Sequence, residues 1–107
     1  MLFLVELDHV KPATPPTPET SRAFIERVIF PTLARADQLA AENKIVAGGP
    51  VAGRIALRLM IEAESAEEVD RIVTSLPLWT QAETRITPLI SFSDRRRHIE
   101  ALRERLG

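Results

Sequence analysis

The nine residues from Arg54 to Glu62, RIALRLMIE, constrain this chain more than any other stretch. Ile55, Leu57, Leu59 and Ile61 alternate with Arg54, Ala56, Arg58, Met60 and Glu62. A period of two predicts a β-strand with two chemically different faces. The aliphatic face requires a covering layer of helices. The other face carries two arginines and a glutamate beside Ala56 and Met60. Charge on a central strand is costly unless water, a partner subunit or an anionic ligand meets it. Function is therefore sought on that face. The plainer alternative is a solvated sheet surface.

Leu2 to Asp8 repeats the pattern. Phe3, Val5 and Leu7 make one apolar face, while Leu2 and Leu4 give way to Glu6 and Asp8 on the other. If the two strands pair, Glu6 and Asp8 meet the arginine face with opposite charge. His9 to Pro18 contains four prolines and reads as an extended loop. Thr17 as N-cap and Pro18 at the first helical position predict a helix running to about Asn43, kinked near Val28–Phe30 because Pro31 lies inside it. Its apolar stripe includes Phe24, Ile25, Val28, Ile29, Leu33 and Leu39.

Lys44 to Ala47 is expected to be a short strand. Gly48-Gly49-Pro50 and Gly53 are expected to form a turn or bulge before Arg54. These glycines match neither nucleotide-binding fingerprint and lead into a strand rather than a helix, which argues against a phosphate loop. Ser65-Ala-Glu-Glu68 is a capping box opening a second helix with Val69, Ile72, Val73 and Leu76 inward, ending before Pro77. Trp79, the single tryptophan, falls in the connection that follows. Glu83 to Phe92 alternates as a last strand, with Pro88 marking an edge or bulge. Ser93 or Asp94 should cap a terminal helix with a narrow stripe of Ile99, Leu102 and Leu106. Its run Arg95-Arg96-Arg97 reads as a solvated face.

The predicted order is β-α-β-β-α-β plus a helix. That is a ferredoxin-like α+β fold over residues 1–92, with residues 93–107 as a C-terminal helical extension. Leu2, Leu4, Ala56, Met60 and Leu89 make the uncovered sheet face too apolar for water alone, so a second sheet from another subunit is expected there. With 107 residues and a net charge of −1, the chain is of single-domain size and has no field that would draw it to nucleic acid or anionic lipid. It lacks cysteine, which removes disulfides, thiolate metal sites and cysteine nucleophiles. Met1 to Val5 is too short for a signal or membrane segment, so a cytoplasmic location is expected. Two histidines distant in sequence, His9 and His98, do not suggest a metal site.

Three stretches, MLFLVELD at residues 1–8, VAGRIALRL at 51–59 and SLPLWTQAETRITPL at 75–89, resemble the muconolactone delta-isomerase family. The most specific part is LPLW followed by ITPL, and the likeness covers most of residues 1–92. It implies a dimeric α+β barrel able to assemble further. It also implies a cofactor-independent proton shift on a small unsaturated lactone carboxylic acid, in aromatic-compound catabolism. The family's pattern has basic residues on the first strand where this chain has Leu4 and Glu6, which implies a different substrate.

An isomerase of this kind needs a base, a carboxylate anchor and an apolar wall. Glu6, Asp8, His9 and Glu83 are the candidate bases. Arg54, Arg58 and Arg85 are candidates for holding a carboxylate, and Trp79 is read either as a packing residue or as a wall near the site entrance. Arg54 and Arg58, four residues apart on a straight strand, would stand about 13 Å apart and serve different roles. Two other readings fit the same fold: a non-catalytic ligand-binding or oligomerising module, and a cofactor-free oxygenase.

Overall fold

The computed structural model describes residues 1–107. Four strands form one antiparallel sheet: β1 (Leu2–His9), β2 (Ile45–Pro50), β3 (Ala56–Glu62) and β4 (Ala82–Pro88). Their spatial order is β2-β3-β1-β4, the ferredoxin-like arrangement, with β1 and β3 central. The α-helices are α1 (Pro18–Phe24), α2 (Phe30–Ala41), α3 (Ala66–Thr74) and α4 (Phe92–Leu106). No helix is long and apolar enough to cross a membrane.

Alternation explains the core. Phe3, Val5 and Leu7 on β1 and Leu57, Leu59 and Ile61 on β3 are all buried, and they lie opposite one another in register. Val28, Leu39, Val69, Ile72, Val73, Leu76 and Leu78 close over that face. Thr17 caps α1 as expected, accepting the Thr20 N–H at 3.1 Å. The irregularity expected near Val28–Phe30 begins earlier, as a π-helical turn over Ile25–Ile29 in which the Phe30 N–H reaches back five residues to the Ile25 carbonyl. Pro31 cannot donate to the residue four positions back, and the widened turn absorbs that loss before α2 resumes. Thr32, on α2, is buried, and its hydroxyl accepts the Leu78 N–H at 3.0 Å, tying α2 to the 3₁₀ turn Pro77–Gln81.

The structure corrects several boundaries. Gly48, Gly49 and Pro50 are not a turn: they belong to edge strand β2 and pair with Leu59, Arg58 and Leu57. A register shift between Ile45 and Ala47 lets them do so. Gly48 has φ +110°, and a Cβ there would lie 2.1 Å from the Arg58 carbonyl oxygen, so only glycine fits. The turn comes later, at Val51–Ile55, where Gly53 takes φ +77°. β3 therefore starts at Ala56, and Ile55 is 49% exposed rather than part of the aliphatic face.

At α3, Ser65 accepts the Glu68 N–H. The Glu68 carboxylate reaches the Glu64 N–H at 3.0 Å rather than that of the cap residue, and pairs with Lys44 at 3.0 Å. The last strand ends at Pro88, not Phe92. Ser91, not Ser93 or Asp94, caps α4 by accepting the Asp94 N–H at 3.0 Å. None of the residues of α4 is buried, and Phe92 is 94% exposed. The molecule measures 66 × 30 × 24 Å as a result.

Candidate functional site

The face of the sheet turned away from the helices carries the charge. β1 runs between β3 and β4, so Glu6 lies opposite Arg58 on one side and Arg85 on the other. Asp8 lies opposite Ala56 and Glu83. Pairing alone thus builds a ladder of alternating charge across three strands, Arg58–Glu6–Arg85. These residues surround an open polar hollow of about 280 Å³, lined by Glu6, Asp8, Arg58, Glu83, Thr84 and Arg85.

Arg58 is the hub. Its Nε lies 3.4 Å from Glu6 Oε1, and its Nη2 donates to both oxygens of Asp8, at 3.1 and 3.3 Å. Its Nη1 donates to the Leu57 carbonyl at 2.9 Å, which fixes the plane of the guanidinium. Arg54 also donates to Asp8 Oδ1. One carboxylate therefore holds both arginines, against the expectation that they stand too far apart. That expectation assumed a straight strand from Arg54. The Val51–Ile55 turn instead folds Arg54 back toward the end of β1.

Arg85 and Glu83 enter none of these ion pairs. They sit two residues apart on one face of β4, about 7 Å along the strand. The local charge balances, with Glu6, Asp8 and Glu83 against Arg54, Arg58 and Arg85. Because these side chains are only half-buried or exposed, each pair contributes at most about 1 kcal/mol. Their weight lies in orientation: four groups are paired and two are not.

The remaining candidates lie elsewhere. His9 shares the parity of Leu7 and turns to the helix side, where its ring packs on Phe24 at 4.8 Å between centroids. Trp79 sits in the 3₁₀ turn, 40% exposed, and lines neither the polar hollow nor the apolar one described below. Thr84 borders the polar hollow, and its Oγ1 is buried without a hydrogen-bond partner. Nothing in the sequence pattern singles it out, since it occupies an ordinary strand position. No group of three or more His, Cys, Asp or Glu side chains is placed to hold a metal ion.

A structure of 5-chloro-2-hydroxyhydroquinone dehydrochlorinase (TftG) from Burkholderia phenoliruptrix, in complex with 2,5-dihydroxybenzoquinone, has a similar fold. Its TM-score is 0.62 at 24% identity, over 88% of this chain and 98% of that one. No curated protein matches the chain. The sequence pattern described as muconolactone delta-isomerase matches residues 1–95, nearly the whole sheet-and-helix body built above. The chain belongs to the muconolactone delta-isomerase family.

Proposed function

We propose that this protein is a cofactor-independent enzyme that moves a proton on a small unsaturated lactone carboxylic acid, with Glu83 as base and Arg85 as carboxylate anchor. The observation that carries this reading is the division of labour on the open face. Arg54 and Arg58 are taken up by Glu6 and Asp8, while Glu83 and Arg85 line the same hollow outside that network. A base must present a carboxylate oxygen to the substrate, and those of Glu6 and Asp8 are already turned to Arg58 and Arg54. An anchor must have its guanidinium available for two parallel N–H···O bonds. Glu83 would take a proton from carbon next to the lactone carbonyl and return it at the far end of the conjugated system, shifting the double bond. The family is named for an isomerisation of a small molecule and the structural neighbour for a dehydrochlorination of one, and both names support this class of chemistry.

The hollow is open to solvent in one chain. Residues 1–92 would carry the site as one domain, with the helix beyond as an extension, and the protein would work as a homodimer or larger assembly. A second sheet laid on Leu2, Leu4 and Met60 would roof the hollow, exclude water and complete a barrel. Neither nucleic acid nor membrane is needed as a partner, and a cytoplasmic enzyme fits this use.

Proton exchange tests the reading. In deuterated buffer the protein should wash deuterium into an unsaturated lactone acid, followed by proton NMR. Glu83→Gln should slow this at least a hundredfold, and Arg85→Gln should act mainly through KM. Unchanged exchange in Glu83→Gln, or none in the wild type with any such acid, removes the proposal.

A further inference from the structure

A second hollow lies on the other side of the sheet. It occupies about 200 Å³ between the start of α2 and the β2–β3 turn. Ile29, Leu33, Pro50, Ile55, Leu57 and Leu78 supply its walls. Two of these, Ile55 and Leu33, are 49% and 38% exposed, so the hollow keeps apolar surface in water. Two polar residues interrupt the hydrocarbon. Thr32 is 3% exposed, and its hydroxyl accepts the Leu78 N–H, which leaves its own proton to give. Arg54 is the other. An apolar recess bordered by one buried hydroxyl and by the side chain of an arginine, whose guanidinium lies on Asp8, has the composition of a small-molecule site.

Arg54 belongs to both sides of the sheet. It borders this hollow, while its guanidinium donates to Asp8, which borders the polar one. Asp8 does not depend on it, because Arg58 holds both Asp8 oxygens. Arg54 can therefore turn to another anion without stranding a carboxylate. The bond it gives up is an exposed ion pair, the weakest kind.

We infer that this helix-side hollow binds a small apolar monocarboxylic acid, aliphatic or aromatic, with its hydrocarbon between α2 and the turn and its carboxylate on Arg54. Binding draws Arg54 away from Asp8 and leaves Arg58 as that residue's sole cationic partner. Occupancy on the helix side thereby alters the charge network of the open face. The hollow is smaller than a site for a drug-sized ligand, which limits the acid to about the size of benzoate or hexanoate. The inference is independent of the isomerase reading, in which Arg54 plays no chemical part.

The test is a titration of the full chain with benzoate, and separately with benzyl alcohol, followed by the methyl resonances of Ile29, Leu33, Ile55 and Leu78. The expected result is saturable shifts of those methyls with both probes. Arg54→Gln should weaken benzoate at least about tenfold and leave benzyl alcohol unchanged. Leu33→Trp, a change at an exposed wall position, should abolish both. The inference is overturned if benzoate gives no saturable shift, if it shifts only the open-face methyls of Leu4 and Met60, or if Arg54→Gln weakens both probes equally. Because the readout is binding, it stands or falls without reference to proton exchange at Glu83.

Discussion

Helices α3 and α4 begin alike and end up in opposite situations. Each starts at a serine whose hydroxyl accepts the N–H three residues on, Ser65 from Glu68 and Ser91 from Asp94. Each has acid in its first turn and arginine in its last. Yet α3, with nine residues, buries Val69, Ile72 and Val73, whereas α4, with fifteen, buries none. Capping decides where a helix starts, because it satisfies N–H groups that no helix can satisfy alone. Docking depends on a counter-surface. For α3 that surface is the β1–β3 face. For Ile99, Leu102 and Leu106 the chain supplies none, and a second copy is the counter-surface our proposed assembly would bring.

The sharpest way to break this contrast is to cut into each helix's apolar side. Leu76, fully buried where α3 ends, should cost about 2–5 kcal/mol as Leu76→Ala, seen as a large drop in the urea midpoint. Leu106→Ala should leave the midpoint of the dilute monomer in place. Equal losses would mean that α4 is docked on its own chain.

Association comes next. Ile99→Glu combined with Leu102→Glu should lower the mass seen by light scattering at micromolar concentration, with far-ultraviolet circular dichroism preserved. A wild-type protein that is already monomeric at that concentration sinks the assembly. The caps give a smaller effect: Ser65→Ala should lower global stability by about 1 kcal/mol, and Ser91→Ala should fray α4 without moving the global midpoint.

The smallest effect is the pH dependence at the start of α3. The Glu64 N–H and then Lys44 hold the Glu68 carboxyl below its ordinary value, and the Glu68 hydrogen bond holds Lys44 above its own. The Glu68 contribution is therefore present above the ordinary carboxylate range and fades as pH falls through the lowered value, below about pH 4. That of Lys44 is present at neutral pH and fades as pH rises past its usual range, above about pH 10. Glu68→Gln should flatten the acid limb of the urea midpoint, and an unchanged limb would place the acid sensitivity elsewhere.

Periodicity made the core legible. Six alternating residues on β1 and β3 were enough, because burial of one face forces parity. Parity also places His9 with Leu7, off the charged face, a consequence that its chemistry as a candidate base obscures. Strand ends were not legible in the same way. Ile55 and Ile90 extend the alternation beyond the strand ends at Ala56 and Pro88. Gly48-Gly49-Pro50 has the composition of a turn, but the register shift in β2 seats it in the sheet. The Glu6–Arg58 encounter followed from two matching strand patterns. The meeting of Arg54 with Asp8 depends on a turn whose path no spacing rule contains, and the unpartnered hydroxyl of Thr84 follows from tertiary packing alone.

Gly48 has a consequence for how tolerance to substitution would be interpreted in this family member. It contributes no functional group, yet it lies against the carbonyl of Arg58, the residue that organises the charged face. If Glu83 is the base we propose, a library of single substitutions selected for activity should find position 48 nearly as intolerant as position 83, although one is empty space and the other would be chemistry. Selection for folding alone separates them: Glu83, exposed on an edge strand, should accept many residues, and position 48 should accept almost none. Intolerance at a charged surface can therefore record the fit of two backbones as readily as it records a reaction.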